Sequence, residues 1–146
     1  MHAANPPFRA FRSFMNPAYL TPIAVPFADE TMKVTSLCWS DTEATQIVVA
    51  SKRTGRSFVV EFQSVEGLRM LDELDLASVW INSASQALAS TWLFKVNAGG
   101  WLELESTRDD FYTQHQENQP YEFLIGGYLE CVSVLSLLPP VIQERT

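Results

Sequence analysis

From residue 32 onward, apolar and polar positions alternate in short runs, which is the period of a strand. Met32–Trp39 and Thr45–Ser51 are rich in Val, Ile, Thr and aromatic residues, and Ser57–Gln63 places Phe58, Val60 and Phe62 on one side of the chain. Between the last two runs lies Lys52-Arg53-Thr54-Gly55-Arg56, a polar loop with one glycine. That arrangement predicts an antiparallel hairpin. Val65–Leu71 reads as a further short strand. Two more hairpins are predicted around glycine pairs: Trp92–Asn97 with Trp101–Glu105 across Ala98-Gly99-Gly100, and Tyr121–Ile125 with Leu129–Leu135 across Gly126-Gly127-Tyr128. Pro139-Pro140 ends the last strand, leaving Val141–Thr146 as a short tail.

Helical spacing is confined to two places. Asp75 suits an N-cap before Leu76, Val79 and Trp80, and Ala84, Ala87 and Leu88 continue that face. Asn82, Ser83 and Ser85 interrupt it, so one helix and two short helices fit equally. Thr107–Gln116 reads as a second short helix, with Thr107 as cap and Asp109 and Asp110 in its first turn. Together these elements predict an α+β fold: a mainly antiparallel, strongly bent sheet of about seven to eight strands with one or two short helices.

The first 28 residues differ. They hold five of the eight prolines together with Phe8, Phe11, Phe14, Tyr19 and Phe27. Prolines at that density exclude a long helix, with room for one helical turn around Arg9–Met15. So many rings predict a segment that packs on the domain formed by residues 29–146; a tail that orders only against a partner is the competing expectation.

Length and charge narrow the function classes. At 146 residues the chain fits one domain. Its net charge of −7 is unevenly spread. Residues 1–28 carry two arginines and no acid, and residues 100–146 carry eight acids against two bases. The acidic part is therefore the C-terminal third. Such a balance argues against nucleic acid and against an anionic membrane surface as partner. No run of about 18 apolar residues is present for a membrane helix. The opening Met1-His2-Ala3-Ala4-Asn5-Pro6-Pro7, followed by Arg9 and Arg12, does not read as a secretory signal. A cytoplasmic location is expected. Cys38 and Cys131 lie in strand-like runs and read as reduced core thiols, with a disulfide open only if the two strands are neighbours.

Candidate chemistry is sparse. The two histidines, His2 and His115, both sit in polar surroundings. Neither a nucleophile elbow, nor paired cysteine or histidine ligands, nor a glycine-rich phosphate loop occurs. No catalytic residue, cofactor or metal site is therefore expected. Glu103 and Glu105 alternate with Leu102 and Leu104 as one face of a strand, and Asp72, Glu73 and Asp75 approach a helix start. Acids beside Trp101 and Tyr128 suit recognition of a basic protein partner, because the field speeds encounter and the rings supply desolvated area.

The stretch Phe58-Val59-Val60-Glu61-Phe62 followed by Val65-Glu66-Gly67-Leu68-Arg69-Met70-Leu71-Asp72-Glu73-Leu74-Asp75-Leu76 resembles small acidic proteobacterial proteins. Gly99–Glu105, Glu122–Ile125, Glu130–Ser136 and Pro139-Pro140 fit the same pattern, over roughly residues 57–140. Such proteins are similar to immunity proteins of polymorphic toxins, which block a co-encoded toxin by direct binding. The resemblance implies a non-enzymatic partner with an acidic patch over the toxin's active site. On the residues, that patch is Asp72, Glu73, Asp75, Trp101, Glu103, Asp109 and Asp110. The alternatives are a small enzyme or ligand-binding domain with a pocket in the bent sheet, and a structural or assembly subunit. The sequence leaves the oligomeric state open.

Overall fold

The computed structural model describes residues 18–72 and 90–146. Nine strands are present among them, in two antiparallel sheets: β1 (Tyr19–Pro22), β2 (Met32–Cys38), β3 (Thr45–Ser51), β4 (Ser57–Phe62), β5 (Val65–Asp72), β6 (Leu93–Ala98), β7 (Tyr121–Gly126), β8 (Glu130–Ser136) and β9 (Val141–Arg145). One sheet has the order β1-β6-β7-β8-β5 and the other β2-β3-β4-β9. A short helix α1 (Trp101–Glu105) and a 3-10 turn at Tyr112–His115 lie between β6 and β7.

The antiparallel, strand-dominated reading holds, with two corrections: there are nine strands, and they form two facing sheets instead of one bent sheet. The core lies between the sheets. Met32, Val34, Ile47, Val49, Phe58, Val60 and Phe62 come from one side, and Trp92, Leu93, Phe123, Ile125, Val132 and Val134 meet them from the other. Apart from Trp92, which lies just before β6, these are positions at which the strand's two-residue period points inward. The β3–β4 hairpin forms as expected, pairing Val49 with Phe58 and Ile47 with Val60. Gly55 takes a positive φ of 76° in its loop. The β7–β8 hairpin also forms, with Ile125 opposite Val132.

The five-stranded sheet is buried on its other face as well. Phe94, Leu124 and Cys131 are buried there, with Leu20, Leu71 and Val96 packed against them. That double burial explains why β7 and β8 read as nearly continuous apolar runs.

Four further expectations are corrected. Trp101–Glu105 is helical, so it does not pair with β6; β6 lies between β1 and β7. Val141–Arg145 is a strand, because Ile142 packs on the core opposite Val60 and Arg56 binds Glu144 at 2.8 Å. Within Thr107–Gln116 only the 3-10 turn is regular, and the Thr107 hydroxyl donates back to the Leu104 carbonyl at 2.7 Å instead of capping a new helix. Cys38 is exposed at the end of β2, whereas Cys131 is buried, and neither forms a disulfide among the described residues.

Residues 18–28 run along the sandwich. Tyr19–Pro22 pairs with β6 as an edge strand, with Pro22 at its last position, where a missing N–H costs least. Ile23, Val25, Phe27 and Ala28 pack on the core. Trp92 Nε1 donates to the Phe27 carbonyl at 2.8 Å, and Thr91 donates to that of Ile23 at 2.7 Å. The helical turn around Arg9–Met15 and the helical face over residues 76–88 lie outside the described residues.

Candidate functional site

Two regions gather charge and aromatic surface: the outer face of the five-stranded sheet under α1, and one end of the sandwich. They differ in how their charges are used.

Under α1, Glu122 on β7 is 5% exposed. Its Oε2 accepts the backbone N–H of Trp101 at 3.0 Å and its Oε1 that of Leu102 at 2.8 Å. These are helix-start donors with no partner inside the helix. Glu103 reaches back to accept the Gly99 N–H at 2.6 Å, closing the turn from the other side. The Trp101 ring lies over β5, where its Cη2 would be 3.2 Å from a Cβ on Gly67. The Arg69 guanidinium sits 5.0 Å from the centre of that ring. Burial pushes the Glu122 carboxyl above the ordinary glutamate range, opposed by the two backbone N–H groups and by Arg69. Burial likewise lowers the Arg69 guanidinium, opposed by Glu122 and Glu105. A carboxylate with both oxygens committed to backbone donors is an anchor for α1.

Of the residues expected to form a partner patch, Trp101, Glu103, Asp109 and Asp110 fall on α1 and the loop after it. Trp101 is half-buried against β5, and Glu103 is bound to Gly99. Arg108 bridges Glu105 at 2.6 Å and Asp110 at 3.4 Å, so this acidic stretch is partly neutralised from within. Asp109 is exposed, and its carbonyl lies 3.3 Å from His115 Nε2. Asp72 stands apart from this group. It is opposite Glu130 at the far end of β5, five residues from Gly67, or roughly 16 Å along an extended strand. Glu73 and Asp75 lie outside the described residues.

The second region was not anticipated. At one end of the sandwich, the β2–β3 loop, the β4–β5 turn and Leu137 enclose an open groove of about 560 Å³. Trp39 lines it and is 63% exposed. Asp41 and Glu43 come from the loop and Glu66 from the start of β5. Among the described residues none of these three acids is ion-paired. The loop has a defined shape: the Ser40 hydroxyl accepts the N–H groups of both Thr42 and Glu43 at 3.2 Å, and Thr45 at its base is buried opposite Phe62. The short Ser-Asp-Thr-Glu insert after Trp39 was the visible sequence signal. Glu66 could not be joined to it without the fold.

The groove has the volume of a small-molecule site but not the apolar lining that such sites use. Among the described residues no group of three or more histidine, cysteine, aspartate or glutamate side chains is arranged to hold a metal ion, and no helix is long and apolar enough to cross a membrane. No family model, no curated protein and no solved structure matches the chain.

Proposed function

We propose that this chain is a binding protein for a basic segment of a partner protein, and that the end groove is where that segment is held. The observation that carries this reading is a tryptophan 63% exposed in a groove whose three carboxylates have no cationic partner among the described residues. Exposing an indole costs hydrophobic free energy that a partner recovers, and Trp is a preferred interface anchor. Three unneutralised acids around it raise the local concentration of cations and speed encounter. The resemblance over residues 57–140 makes a toxin domain the partner class, neutralised by direct occlusion of a basic active-site cleft.

The test is comparative capture. The full chain and an Asp41→Lys/Glu43→Lys/Glu66→Lys variant are immobilised and exposed to native lysate. The expected result is a basic protein retained by the first and lost by the second, whose toxicity on expression is relieved by the chain. Equal capture by both removes the groove from the binding surface. A retained partner with an acidic surface overturns the reading altogether.

A further inference from the structure

Resting on that reading, we propose that the partner segment binds as an added strand on the open half of β2, running from Thr35–Cys38 into the end groove at Trp39. The two sheets have four edges, and three are blunted. β1 is four residues long and ends in Pro22. β5 carries Glu66, Arg69 and Asp72 along its length. β9 carries Glu144 and Arg145, the former paired with Arg56. Short length, proline and charge are the devices that keep edges from pairing.

β2 is different in its two halves. The first half is covered, because the Tyr128 N–H of the β7–β8 turn donates to the Met32 carbonyl at 2.9 Å. Gly127 of that turn lies close enough that a Cβ there would be 3.2 Å from the Val34 nitrogen. A register shift between Val34 and Ser36 then turns the strand. Beyond it, Thr35, Ser36, Leu37 and Cys38 are all exposed, on both sides of the pleat. This half contains no charge and no proline, and it leads straight to Trp39. Strand addition supplies main-chain hydrogen bonds for affinity and leaves alternate side chains to set specificity.

The occupant is an extended basic segment of a partner protein, selected by charge. Four residues of strand span about 13 Å, after which the segment meets the Trp39 ring and then Asp41, Glu43 and Glu66. A Lys or Arg at that end gains both a ring face and carboxylates. One apolar side chain beside Leu37 completes the match. A second copy of this chain would bring a net charge of −7 against the same acids.

The experiment is an amide NMR titration of the full chain with three blocked heptapeptides: alternating Lys and Val, alternating Glu and Val, and the Lys-Val peptide N-methylated at alternate amides. The Lys-Val peptide is expected to shift the Thr35–Cys38 amides and the Trp39 indole. The other two should bind at least about tenfold more weakly, a difference of about 1.4 kcal/mol. Leu37→Lys should weaken the Lys-Val peptide similarly while leaving the thermal midpoint in place. N-methylation touches only the peptide, so its effect does not depend on any variant folding. If the N-methylated peptide binds as well and only the Asp41, Glu43 and Glu66 amides respond, strand addition is overturned while the basic-partner reading stands. Equal binding of the Glu-Val peptide, or no shift at β2 with any peptide, overturns the docking mode. Concentration-dependent β2 shifts without peptide identify a second copy as the occupant and overturn it too.

Discussion

Gly100 and Glu122 fit together only because one of them has no side chain. A Cβ on Gly100 would lie 2.7 Å from both carboxylate oxygens of Glu122 and 2.6 Å from Val96 Cγ1. The approach lets the carboxylate reach the first two backbone donors of α1. Gly100→Ala must push the helix off its anchor or bend β6. We expect a loss of about 1–3 kcal/mol, as for other forced overpacking, measured by urea denaturation. Gly55→Ala tests a different cost. A side chain there meets open space, but φ is 76°, so the loss should be about 1–2 kcal/mol and come from backbone strain alone. In exchange measurements the Trp101 and Leu102 amides should lose protection in the first variant and keep it in the second.

Glu122 should also leave a mark on the pH dependence of stability. Its carboxyl is raised above the ordinary range mainly by burial. The folded state therefore holds its proton more tightly than the unfolded chain. That contribution is fully present below the ordinary glutamate range and is lost as pH rises through the raised value. Glu144, lowered mainly by its hydrogen bond from Arg56, acts in the opposite sense: its contribution is present above the ordinary range and fades as pH falls through the lowered value. Glu122→Gln should flatten the decline on the alkaline side of the carboxylate range. It should also lower stability throughout, because the amide presents only one acceptor to two N–H donors. Unfolding free energies at several pH values for both proteins give the slopes; parallel curves would show that Glu122 titrates normally.

The misreadings follow from what a local pattern contains. The β3–β4 hairpin was legible because period-two runs flank a loop with Gly55. The β7–β8 hairpin was legible because Gly126-Gly127 separates two short apolar runs. Trp-Leu-Glu-Leu-Glu satisfies strand alternation, yet it is a helix because a carboxylate 20 residues downstream takes its first donors. Val141–Arg145 carries too few apolar residues to declare a strand; its partner β4 lies about 80 residues earlier. Periodicity tells which residues share a face but not which strand lies beside them, so nine strands in two layers read as one bent sheet. The candidate groove was illegible for a related reason. Glu66 belongs to a run that reads as a short strand, and only the turn from β4 to β5 sets it beside Asp41 and Glu43. Counting acids by thirds of the chain pointed to residues 100–146, where Arg108 and backbone groups occupy several of them.

Two tryptophans should separate function from stability. Trp39 is 63% exposed, and Trp92 is 2% exposed with its indole bonded to the Phe27 carbonyl. Trp39→Ala should change stability by no more than roughly 0.5 kcal/mol, as at other surface positions, while weakening partner capture. Trp92→Ala empties part of the core and removes the indole donor from the partly buried Phe27 carbonyl, and should cost about 3–5 kcal/mol. Thermal unfolding read beside binding decides the matter. A large stability loss from Trp39→Ala would mean the ring is structural.

The two acidic regions make opposite predictions under charge reversal. Asp41, Glu43 and Glu66 have no cationic partner among the described residues, so their field reaches solvent. Reversing them should slow association with a basic partner most at low salt, because steering fades as the Debye length shrinks to about 8 Å at physiological ionic strength. Dissociation should change less, since rim charges act mainly on encounter. Reversing Asp109 and Asp110 beside Arg108 alters a stretch already partly neutralised, and should change the association rate by a smaller factor. Stopped-flow rates across a salt series give one slope for each variant. A steeper loss of slope in the Asp109/Asp110 variant would return the binding surface to the α1 side. In that geometry the partner would face the α1 side, where Tyr112, 74% exposed beside Asp109 and Asp110, offers an aromatic contact.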